Sequence, residues 1–137
     1  MKYIFTYASY KISLPKKENN HYQETSWTDN IDGKEVKITI QEVQDYLKNS
    51  PIIDIPVSEI SNLCIHKDKD DEETLLRSQK SDLSFPIIIS KNEDGKYGMI
   101  LDGHHRLLKA INNGEETIKA KVLDLSTAPR EYKEMFK

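Results

Sequence analysis

The run "PIIIS" (86–90) constrains this chain more than any other five residues. A short stretch without polar alternation is what a strand buried on both faces requires, because each side chain must meet apolar neighbours. Such a strand lies inside a sheet and needs cover above and below. "NEDGK" (92–96) follows with Asp-Gly turn chemistry, and "YGMIL" (97–101) reads as the strand returning beside it.

Around this hairpin the pattern is mixed. Thr39 and Glu42 form a capping box ahead of Ile40, Val43 and Leu47, which share one helical face, and Pro51 stops that helix. A strand is expected near 52–57, then a turn. The run "HKDKDDEE" (66–73) is solvated, and its acidic end opens a helix at about 71–80. Leu75 and Leu76 face inward there, and Glu73 can pair with Arg77. After the hairpin a second helix carries Leu107, Leu108 and Ile111 on one stripe and stops at Asn113-Gly114. "TIKAKVLDL" (117–125) alternates as a strand, and "TAPREYKEMF" (127–136) forms a last helical turn capped by Thr127, with Pro129 near its first position. The first third is aromatic, polar and weakly periodic, which fits one or two short strands with loops.

These elements define an α+β chain. Its 137 residues suit one core, divided as an extension (1–50) packed on a main unit (51–137). The net charge of −3 gives no global attraction to nucleic acid or anionic membrane. Cys64 is the single cysteine, so no internal disulfide forms, and a cytoplasmic setting is expected. No apolar run has the length of a membrane span, and the N-terminus lacks a signal-peptide core.

Candidate chemistry gathers at Asp102-Gly103-His104-His105-Arg106, where a strand turns into a helix. A helix N-terminus presents backbone N–H groups and the positive end of the dipole to an anion. Gly103 lets the backbone turn sharply or approach a ligand. Arg106 offers a planar fork matched to phosphate or carboxylate oxygens. His104 and His105 donate hydrogen bonds and can move a proton near neutral pH. Asp102 can cap the helix, hold a histidine tautomer, or bind Mg²⁺ together with a phosphate. Ordinary roles account for the same residues: Asp102 as a cap, His104 as a core histidine, Arg106 as the partner of an acidic residue. Adjacent histidines on a helix diverge by about 100°, which argues against joint ligation of one metal ion. His21 and His66 are isolated and read as surface residues, and Cys64 reads as structural.

The stretch "FPIIISKNEDGKYGMILDGHHRLLKAINNGEETIKAKVLDL" resembles the ParB/sulfiredoxin superfamily. The shared plan is a Pro-Ile-Ile strand, a hairpin, a Gly-x-x-Arg turn into a helix, an Ala, a Gly and a closing strand, over about residues 53–125. The resemblance implies a small mixed sheet with helices packed around it. It also implies a nucleoside triphosphate, ATP or CTP with Mg²⁺, held through the turn. Gly103, His104, His105 and Arg106 would meet the phosphates, with Asp102 on the metal or acceptor side. Asp102, His104 and His105 are then the candidate catalytic residues. Arg77, Lys80 and Asp82 lie where relatives approach the nucleotide from the other side. Free-serine kinases of this superfamily carry a closely similar Asp-Gly-His-His-Arg turn. Sulfiredoxins need a Cys where this chain has His104, so peroxiredoxin repair is not expected. No helix-turn-helix pattern follows the turn, so partition-type centromere binding is not expected either.

The leading expectation is a nucleotide phosphate-binding protein, of phosphotransferase or nucleotidase type. A second reading is a DNA-binding or ParB-like nuclease protein with a local basic face built from Lys91, Lys96, Arg106, Lys109, Lys119 and Lys121. A third is a non-catalytic interaction protein, such as a phage factor meeting a host protein through residues 1–50.

Overall fold

The computed structural model describes residues 2–4, 25–64 and 72–137, with side chains in 25–64 and 76–137. The solvation of the run 66–73, the inward face of Leu75, the pairing of Glu73 with Arg77, and the surface positions of His21 and His66 concern side chains outside that description. The architecture is mixed α+β, as its sequence pattern implies, with two sheets. Where length alone suits one core, the chain divides into two compact units. One comprises Met1–Asn49 with Thr127–Lys137, the other Ser50–Ser126. The terminal helix thus groups with the N-terminal residues, and not with segment 51–137.

In the first unit, strands β1 (Lys2–Ile4), β2 (Ser26–Ile31) and β3 (Lys34–Thr39) form an antiparallel sheet in sequence order. Asp32 and Gly33 join β2 to β3 with φ of 55° and 80°, the two positive angles of a tight primed hairpin turn. Helix α1 (Ile40–Tyr46) opens on the expected capping box: Thr39 Oγ1 accepts from the Glu42 N–H, and Glu42 Oε1 accepts from the Thr39 N–H at 2.8 Å. It closes with Leu47 as C-cap, ahead of Pro51. Ile40, Val43 and Leu47 are buried. The terminal helix of this unit (Arg130–Phe136) starts from Pro129, which makes no side-chain cap, so Thr127 is not its N-cap. Proline suits that end because its missing N–H has no helical partner to lose. Phe136 meets Trp27 edge-on, with centroids 5.0 Å apart, and forms an aromatic core with it.

The second unit holds strands β4 (Ile53–Pro56), β5 (Ile87–Lys91), β6 (Tyr97–Asp102) and β7 (Thr117–Asp124), in the spatial order β4-β7-β5-β6. Strand β5 runs antiparallel to β6 and parallel to β7, while β4 runs antiparallel to β7. Residues 87–90 are all buried, as a strand covered on both faces must be. Val57 leaves β4 and begins a short helix, α2 (Val57–Ile60), so the strand ends one residue before the expected 57. Helix α3 spans Glu72–Lys80 and α4 spans His104–Asn112; the terminal helix is α5. Helix α4 closes in a Schellman motif. The Glu115 N–H donates to the Ala110 carbonyl at 3.0 Å and the Gly114 N–H to that of Ile111 at 3.1 Å.

Ile55, Ile87, Ile89, Ile100, Ile118 and Ala120 from the sheet meet Val57, Ile60, Cys64, Leu107, Leu108 and Ala110 in one core. Leu76 does not join it. It is 52% exposed, whereas Ser78 on the same helix is buried. Residues two apart on a helix point to nearly opposite sides, so α3 turns its Ser78 side inward and Leu76 outward. Leu107→Ala is therefore expected to cost about 2–5 kcal/mol. Leu76→Ala should stay within about 0.5 kcal/mol of wild type in urea unfolding. Equal costs for the two would contradict this orientation.

Candidate functional site

Strand β6 delivers the turn, and a register shift in its pairing aims it. Ile89 faces Ile100, yet Ile88 faces Asp102, so Leu101 is the extra residue of a bulge. Regular pairing from Ile100 would set Asp102 opposite Ile87, in the row that lines the core. The bulge sets it opposite Ile88 and spares the core a carboxylate.

Gly103 follows with φ 102° and ψ 25°, as N-cap of α4. A Cβ here would stand 2.6 Å from Ile87 Cγ2 and 3.0 Å from Arg106 Nη2. Glycine is thus required twice, by the backbone angle and by the close approach of two neighbours. It provides no side-chain cap, and the first turn of α4 contains no acidic residue. Arg106 reaches back toward the helix start, the direction helical side chains take. Its Nη2 donates to Asp102 Oδ2 at 3.3 Å, with the two side chains 20% and 37% exposed. Arg106 Nε is buried and has no hydrogen-bond partner among the described residues.

Helix α3 packs beside α4 and brings further charge. Lys109 Nζ donates to the Ser81 carbonyl at 2.6 Å, and Ser81 Oγ donates to the Arg77 carbonyl at 2.9 Å. Together they satisfy carbonyls at the C-terminal end of α3, where a cation is also favoured by the dipole. Asp82 follows at once and accepts from the Ser84 hydroxyl at 2.7 Å and the Ser84 N–H at 2.9 Å. The Ser84 hydroxyl and then its N–H hold the Asp82 carboxyl below the ordinary aspartate value. Desolvation opposes them more weakly, and the charges of Lys109 and then Arg106 add the smallest lowering effects.

Of the residues singled out from the sequence, 102–106 are contiguous at the turn, and Asp82 lies in the field of Arg106. Arg77 is half-buried on α3 and Lys80 is exposed. His104 and His105 are half-buried, with His104 Nδ1 shielded from solvent. The sequence marks Lys109 only as part of a basic face and gives no sign of its bond to the Ser81 carbonyl. The i,i+3 spacing from Arg106 does put both cations on neighbouring positions of α4.

The donor set fits an anion. Arg106 has unused capacity, and no carboxylate stands in the first turn of α4. It fits a resident metal less well. Asp102 is engaged with Arg106, Asp82 with Ser84, and no group of three or more metal-type side chains occurs among the described residues. No family model matches this chain, and no curated protein matches it.

Two outcomes test this geometry. Gly103→Ala should cost about 1–3 kcal/mol from the backbone angle alone, and more from the contact with Ile87, in urea unfolding. Asp82 should titrate below an ordinary aspartate in carbon-detected NMR, and Ser84→Ala should raise its midpoint more than Lys109→Met does. Because the folded value is the lower one, Asp82 stabilises the fold above the unfolded value. That contribution disappears as pH falls through the lowered midpoint.

Proposed function

We propose that this chain binds the phosphates of a nucleoside triphosphate at the N-terminus of α4. The observation that carries the reading is Arg106. Its guanidinium lies over Gly103, at a helix start with no acidic residue in its first turn, and its Nε is buried without a partner among the described residues. Phosphate oxygens complement both the fork and the helix dipole. The resemblance of the Asp-Gly-His-His-Arg turn to the ParB/sulfiredoxin superfamily points to the same ligand class. In this reading Gly103 clears the backbone, Arg106 and His105 meet phosphate oxygens, and Asp82 and Lys109 frame the side toward α3. A phosphotransferase or nucleotidase reaction would draw on His104 or His105 to move a proton, and phosphoryl chemistry needs mainly positioning and charge.

The DNA reading is less favoured by the same side chains. Lys109 is committed to the Ser81 carbonyl, and Lys119 Nζ lies 4.0 Å from Asp54. Cations neutralised within the fold contribute less to a phosphate-backbone surface.

Calorimetric titration with ATP, CTP and GTP, with and without Mg²⁺, tests the proposal. Arg106→Ala should weaken binding on the order of ten- to a hundredfold, the worth of hydrogen bonds to a charged group. Arg106→Lys, which keeps the charge and loses the fork, should recover only part of it. Unchanged affinity in a folded Arg106→Ala protein would remove the turn from consideration.

A further inference from the structure

We propose that Asp102 is the specificity-determining residue of this turn, acting as the resident anion of Arg106 that any ligand must displace. The inference rests on the phosphate-binding reading and adds which anions the site accepts. Asp102 Oδ2 receives one Arg106 N–H at 3.3 Å, longer than the ~2.7–2.9 Å of a well-formed charge-assisted bond. Both side chains are partly open to solvent, so the pair can exchange partners without passing through a buried, unpaired charge.

Binding at this site is an exchange of one anion for another. A ligand with about one negative charge replaces a carboxylate with its equal and gains little. A polyphosphate brings more charge and more oxygens. Arg106 Nε has no partner in the arrangement with Asp102 but is buried, so it becomes available only when the side chain turns away from Asp102 toward a larger anion. Asp82 adds to the same selection. It is a second carboxylate in the field of Arg106 and Lys109, and it lies in an Asx turn closed by Ser84. Asp102 on Arg106 and Asp82 beside the two cations thus both oppose a weakly charged anion. Glycine at 103 is what allows this arrangement, since a Cβ there would stand 3.0 Å from Arg106 Nη2.

The test is titration of the full chain with inorganic phosphate and with tripolyphosphate, both without Mg²⁺. Wild type should bind tripolyphosphate and should bind phosphate about tenfold more weakly or worse. Asp102→Asn is isosteric and uncharged. It should tighten phosphate binding about tenfold while tripolyphosphate changes less, so that discrimination falls. Arg106→Ala in that background should remove the gain. A ratio unchanged in Asp102→Asn, or both anions weakened, overturns the role of Asp102 and leaves the phosphate site standing. Absence of binding by either anion, to wild type and variant alike, overturns the site and this inference with it. Asp102→Ser provides a second uncharged variant, with circular dichroism to establish folding. A competition on wild type does not depend on any variant. Phosphate should fail to displace tripolyphosphate at comparable concentrations, and effective displacement overturns the proposal.

Discussion

The turn depends on β5 being buried on both faces. Ile87 and Ile89 line the core beneath α4, and Ile88 and Ser90 are equally inaccessible on the opposite side. A strand so enclosed cannot shift, because moving by one residue would exchange its two rows of side chains. Ile87 is therefore a fixed surface, and Gly103 comes to rest against its Cγ2. The backbone angle at 103 follows from that contact, and the origin of α4 follows from the angle. Parallel pairing with β7 requires the chain to return to the end where β5 began; β6 makes that return, and α4 carries the chain past β5 to β7.

Charge at the turn is arranged with similar economy. Arg106 and Lys109 project from neighbouring positions of α4, and each meets an acceptor from another segment: Asp102 at the end of β6, and the carbonyl of Ser81 beyond α3. Lys109 thereby ties the end of α3 to α4 and keeps Asp82 in the field of both cations. The first of these contacts is long and partly solvated, whereas the second is short. The framework that positions the carboxylates is therefore firmer than the ion pair at its centre. A site that must admit a ligand needs its looseness confined to the group that binds.

Much of this was legible in the sequence, for local reasons. The capping box at Thr39 and Glu42, the apolar run 87–90, the Asp-Gly turn after Asn92 and the stop at Gly114 each depend on a few adjacent residues, and each formed as expected. The hairpin at Asp32-Gly33 had the same chemistry, but Lys34, Glu35 and Lys37, all exposed and lying on both faces, obscured the strand pattern of β3. Leu76 misled because hydrophobicity does not reveal which face of a nine-residue helix meets a neighbour. The link from Lys109 to Ser81 spans 28 positions and depends on how α3 packs on α4, which no local pattern encodes. The same holds for the terminal helix. Its place with the first unit rests on Phe136 meeting Trp27, a contact between opposite ends of the chain.

The bulge at Leu101 shows how closely conformation and chemistry are joined here. Without it, alternation along β6 would carry Asp102 into the row of Ile87, where burial would favour its neutral form. With it, the carboxylate stays partly solvated, one helical turn from Arg106, and remains a charged partner. The extra residue thus acts through the charge state of the group that follows it. Gly103 couples the two in the same way, because any side chain there would strain the backbone and press on the guanidinium together. Substitutions at the turn should therefore rarely separate stability from ligand binding, and Asp102 is the exception. Its side chain is partly exposed and meets the guanidinium, so changing its charge alters the anion balance without removing an apolar contact from the core.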